Sequence, residues 1–138
     1  MIAVGYTCKG ERKEYDCIDF RLHCYDEDLV SLEVPEGVKK VTCYNNLLTE
    51  LTIPKGVKKV WCENNLLTEL NIPEGVNYVW CDNNLLTELV IPSSAENVYC
   101  INNKITELNI PKRVKELYCD KIVKGLEHID WDCEIRLY

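Results

Sequence analysis

WCENNLLTELNIPEGVNYVWCDNNLLTEL, from Trp61 to Leu89, ends almost as it begins. Its two ends differ only at Glu63 and Asp82, and the copies lie nineteen residues apart. Self-similarity at a short fixed period is the mark of a stacked repeat architecture. Cys24, Cys43, Cys62, Cys81, Cys100 and Cys119 carry the same spacing in both directions. Aligned on the cysteine, the unit reads V-x-C-x-N-N-x-L-x-E-L-x-I-P-x-G-V.

Several columns of this alignment are apolar throughout: Leu22, Val41, Val60, Val79, Val98 and Leu117 before the cysteine, then Leu48, Leu67, Leu86 and Ile105 after it. A third runs Leu51, Leu70, Leu89 and Leu108, and a fourth Ile53, Ile72, Ile91 and Ile110, each isoleucine followed by proline. One unit has no long helical face and can bury these anchors only against its neighbours. The alternation Val-x-Cys predicts a brief strand, with valine and cysteine inward and the residue between them outward. Proline then excludes a helix. Gly37, Gly56 and Gly75 suit a turn, and because Ser94 and Arg113 replace them later, that turn is not expected to demand a positive φ. Asn46, Asn65, Asn84 and Asn103 form a fixed polar column. We read it as a structural ladder bonding backbone groups of its own coil and the next, the alternative being an exposed loop asparagine.

Val38, Val41, Cys43, Asn46 and Leu48 stand where the leucine-rich repeat signature L-x-x-L-x-L-x-x-N-x-L has its fixed residues, with cysteine in a leucine position. The resemblance repeats from Val57, Val76, Ala95 and Val114 and covers roughly residues 22–122, although the last copy has Ile122 in place of asparagine. The LTEL-x-IP stretch is most similar to the short repeats of bacterial secreted effectors. Similar Asn-Asn-rich repeats also occur in proteins of large DNA viruses. The resemblance implies a right-handed solenoid with a parallel β-sheet on its concave face and an extended convex side with little helix. Five full coils and two caps would give a sheet about 25–30 Å long.

The 138 residues suit one domain with its own core, and 46% apolar with 28% charged residues is ordinary globular composition. A net charge of -7 argues against nucleic acid as a partner. No apolar run approaches the roughly 20 residues of a membrane span, and the first residues lack the pattern of a secretory signal, so the expected location is intracellular: cytoplasm, or host cytoplasm or virion for a viral protein. Nine cysteines without a C-x-x-C pair point to architecture instead of a metal site or disulfide framework. No catalytic spacing joins His23 or His128 to a nucleophile, and no glycine-rich phosphate loop is present. The expectation is a non-enzymatic chain with no cofactor and no metal.

At the ends, Ile2, Val4, Tyr6 and Cys8 alternate like a strand and Lys9-Gly10-Glu11 offers a turn. Residues 1–21 therefore read as a β-hairpin cap in which Cys8 and Cys17 could lie opposite each other, the free-thiol reading being preferred. Residues 123–138 read as a truncated coil through Leu126, Ile129 and Trp131, with Trp131 a core lid, closed by a strand through Cys133, Ile135 and Leu137.

Function is sought on the outward side of the strands. The residue before each cysteine runs His23, Thr42, Trp61, Trp80, Tyr99 and Tyr118, with Tyr44 and Tyr78 in flanking columns and Glu63 and Asp82 just after. Large aromatics rimmed by carboxylates on a face that need not be buried resemble a protein-binding surface and would suit a basic partner. The plainer alternative is that aromatics favour strands and stack for stability. Leu47, Leu66 and Leu85, at a position that faces solvent in this repeat family, would form an apolar stripe for self-association, or be tucked in by local curvature. A structural, self-assembling role, such as one in a virus particle, and carbohydrate recognition through the rings with Asn64, Asn83 and Asn102 are the rival functions.

Overall fold

The computed structural model describes residues 1–127, 129 and 132–138. Seven short strands form one parallel sheet: β3 (Arg21–His23), β5 (Lys40–Thr42), β6 (Lys59–Trp61), β7 (Tyr78–Trp80), β8 (Asn97–Tyr99), β9 (Glu116–Cys119) and β10 (Glu134–Leu137). Register is strict: Leu22 pairs with Val41, Val41 with Val60, Val60 with Val79, Val79 with Val98, and Val98 with Leu117. Each nineteen-residue step thus advances one strand, giving a β-solenoid of about six turns. Among the described residues there is no helix.

The core is the expected set of columns. Val41, Val60, Val79, Val98 and Leu117 are fully buried, as are Cys43, Cys62 and Cys81, and the Leu48, Leu67 and Leu86 column lies beneath them. Every strand is too short to hold a core alone, and each gains its burial from the coils on either side.

The asparagine column is a ladder, running back to the preceding coil instead of on to the next. Asn65 Nδ2 donates to Cys43 O at 3.0 Å and to Cys62 O at 3.1 Å, while its Oδ1 accepts the Leu48 N–H at 3.0 Å. Asn46, Asn84 and Asn103 repeat the pattern. A second column, read from the sequence only as polar groups for a sugar, has a backbone role: Asn45, Asn64, Asn83 and Asn102 all adopt left-handed φ of 53–55°. Asparagine tolerates that region better than other side-chain-bearing residues. Asn64 Nδ2 donates to Asn45 Oδ1 and Asn102 Nδ2 to Asn83 Oδ1, at 2.8 and 2.9 Å, so this outer row is itself partly bonded.

The proline turn takes two forms. Gly37, Gly56 and Gly75 have φ of 91–97°, as the third position of a type II turn requires. Ser94 and Arg113 keep negative φ, with Ala95 N–H and Val114 N–H closing the turn on Pro92 O and Pro111 O at 3.0 Å. The coil thus accommodates both, but a glycine-bearing coil uses the conformation that only glycine takes freely.

The N-terminal hairpin forms from β1 (Ile2–Thr7) and β2 (Arg12–Asp16), and β4 (Leu29–Glu33) joins it to make a three-stranded antiparallel sheet in the order β2-β1-β4. Cys8 and Cys17 lie at opposite ends of this hairpin: Cys17 N–H bonds Met1 O, and Cys8 N–H bonds Asp28 O. Both are free thiols. At the other end β10 closes the parallel sheet against β9, with Leu126, Ile129, Cys133 and Ile135 packed on the core. His128 and Trp131, the expected lid, lie outside the described residues.

Candidate functional site

One face of the parallel sheet packs on the core; the other carries the aromatic row. Register places Trp61, Trp80, Tyr99 and Tyr118 on consecutive strands, all half-buried. Trp80 and Tyr99 stack at 4.7 Å between ring centroids, and Tyr99 and Tyr118 at 4.6 Å. These separations match the roughly 4.8 Å between strands, so the rings stand on edge and spend their faces on one another. Tyr138 continues the stack beyond Tyr118 at 6.1 Å.

Trp61 departs from the row. Its ring stacks diagonally on Tyr78 at 5.0 Å, and Lys40 Nζ sits 4.4 Å from its centroid. Trp80 is held the other way because its Nε1 donates to Asp82 Oδ2 at 2.6 Å. Tyr78 in turn meets Tyr99 at 5.7 Å, so Trp61, Tyr78, Tyr99, Trp80 and Tyr118 form one connected array centred on Tyr99. Tyr44 belongs to a separate pair with Tyr25, stacked at 4.7 Å.

The carboxylates beside the rings are half-buried and partly engaged within the chain. Asp82 accepts the Trp80 indole N–H with one oxygen and the Ile101 backbone N–H with the other, at 2.7 Å. Burial pushes its pKa up, opposed by these two hydrogen bonds. Glu63 is also half-buried, with one oxygen inaccessible and unpartnered, and burial raises its pKa. One Glu63 oxygen is thus closed to a partner, and both Asp82 oxygens already accept hydrogen bonds within the chain. Thr42, beside them in the outward row, is only 6% exposed.

The leucine stripe is uneven: Leu66 and Leu85 are 42% and 36% exposed, whereas Leu47 is half-buried. The six repeated cysteines are buried in the core. Burial drives the Cys43, Cys62 and Cys81 thiols far above their ordinary range, and the Cys81 and Cys100 thiols point at strand carbonyls, 3.3 Å from Tyr99 O and 3.5 Å from Tyr118 O. Among the described residues no group of three or more histidine, cysteine, aspartate or glutamate side chains could hold a metal ion, and no helix is long and apolar enough to cross a membrane. Comparison with protein-family models gives no match, and no curated protein matches the chain.

Proposed function

We propose that this chain is a non-enzymatic protein-binding module of the leucine-rich-repeat kind, presenting the solvent face of its parallel sheet to another protein. The observation that carries this reading is the connected ring array of Trp61, Tyr78, Tyr99, Trp80 and Tyr118. A parallel sheet is normally covered on both faces; here the second face holds large, half-exposed, mutually ordered side chains. Rings already fixed by stacking lose little freedom on binding, which makes them suitable anchors. The leucine-rich-repeat assignment is supported by the coil signature and its asparagine ladder. Sugar recognition draws less support, because stacking on a sugar needs open ring faces and these rings present edges.

The test is capture of a partner by wild-type chain and by the Trp61→Ala, Trp80→Ala double variant, with circular dichroism confirming the fold. Loss of capture is expected; equal capture would overturn the reading. Exposed Leu66 and Leu85 favour one second reading, self-assembly through that edge. Light scattering over a hundredfold concentration range decides it: a mass that grows with concentration and is returned to one chain by Leu66→Lys would establish assembly.

A further inference from the structure

The sheet face is electrically lopsided. Arg21, Lys40 and Lys59 are register neighbours on β3, β5 and β6, on the same face as the rings. Lys39 and Lys58 stand beside them, each ammonium lying against the turn glycine of the next coil: Lys39 Nζ is 3.0 Å from where a Gly56 Cβ would stand, and Lys58 Nζ 3.2 Å from that of Gly75. Among the described residues none of these five cations makes an ion pair. Further along the stack the opposite holds: Arg113 and Lys115 both pair with Glu96, and Arg136 pairs with Glu134. Like charges on adjacent strands repel, so the first three coils maintain an unfavourable arrangement that the later coils neutralise.

Two of the cations are positioned, not loose. Lys40 sits over Trp61 and Lys59 over Tyr78, at 4.4 and 5.6 Å from the ring centroids, so the patch is continuous with the ring array. The neighbouring His23 reports the local field: its pKa is lowered by burial, then by Lys40 and Arg21. Asp82 and Glu63, the acids beside the rings, make no ion pair with these cations among the described residues: both Asp82 oxygens accept hydrogen bonds, from Trp80 and Ile101, and one Glu63 oxygen is buried.

We propose that Arg21, Lys39, Lys40, Lys58 and Lys59 dock an acidic segment of the protein partner, alongside the aromatic array; this rests on the sheet-face reading above. A protein segment is favoured over a polynucleotide because the whole chain carries a net charge of -7, which holds off a long polyanion that a short acidic peptide can escape.

Fluorescence anisotropy of labelled octaglutamate against the full chain tests this. Saturable binding is expected, weakened several-fold between low and physiological salt. Both Lys40→Glu with Lys59→Glu and Lys39→Glu with Lys58→Glu should weaken it by about tenfold or more, the second pair sparing the contacts to the rings. Lys112→Glu with Lys121→Glu, which changes net charge equally but lies outside the patch, should leave binding within about twofold. Absence of binding, or equal losses in the control, overturns the proposal. So does tighter binding of a labelled oligodeoxythymidine, or binding of the chain to itself through an acidic row such as Glu50, Glu69 and Glu88. Failure here leaves the ring reading intact if partner capture still depends on Trp61 and Trp80; failure of the ring reading is seen in that capture assay and not in this one.

Discussion

Replacing Asn65 by alanine removes one rung of the inner ladder, and the structure tells which groups suffer. Cys43 O and Cys62 O each accept from two asparagines: Cys43 O from Asn46 and Asn65, Cys62 O from Asn65 and Asn84. Both therefore keep one partner. The Leu48 N–H loses Asn65 Oδ1 and lies in a buried position. An orphaned buried donor costs about 1–3 kcal/mol and two lost amide bonds add about 1 kcal/mol more, so we expect a loss of about 2–4 kcal/mol. Urea denaturation followed by circular dichroism measures it, provided the slope of the transition is unchanged. Asn64→Gly is the control: it removes an exposed rung while suiting the left-handed φ of 55°, and should cost less than about 1 kcal/mol. Asn103→Ala should be at least as damaging as Asn65→Ala, because Ile122 occupies the next rung position and offers Cys100 O no second amide. A loss below about 0.5 kcal/mol for Asn65→Ala would refute the ladder argument.

Gly56→Ala forces a side chain onto a φ of 91° and into the Lys39 ammonium, and should lower stability by about 1–2 kcal/mol in thermal melts, whereas Ser94→Ala at the equivalent position, with its negative φ, should not show that backbone penalty. Thiol titration of the native chain should modify exposed Cys8 first and Cys17 and Cys133 slowly, while the six repeat cysteines react only when the chain unfolds; prompt native reaction of Cys62 would contradict its burial. Glu63→Gln should raise the denaturation midpoint at neutral pH. The folded-state pKa of Glu63 is raised, so its ionised form costs stability above that pKa and the cost disappears as pH falls through it; the advantage of the variant must shrink on acidification, and one that grows would show the sign to be wrong.

The fold was legible because the repeat writes each core position several times over. A valine before cysteine in one coil is weak information, but Val41, Val60, Val79 and Val98 at one spacing leave only stacking as their burial. The inner asparagine ladder was legible for the same reason, although its direction was not: spacing is symmetric along the stack, and only chain geometry decides that Asn65 reaches back to Cys43. The ends were less legible because they occur once. Nothing in Leu29–Glu33 announces that it pairs with β1. The engagement of Asp82 was not legible, because sequence places Asp82 beside Trp80 without revealing that the indole N–H binds it. The cation patch was missed since interleaved lysines look neutralised until register shows Lys40 and Lys59 as neighbours without acids.

The most direct test of the sheet-face account is site-specific photo-cross-linking. A photoreactive residue replaces Tyr78, within the ring array, or Thr87, an exposed position in the segment after the asparagine ladder, and each chain is irradiated with its captured partner. The account predicts a covalent adduct from position 78 and none from position 87. Adducts from 87 alone would place the partner off the sheet and contradict it.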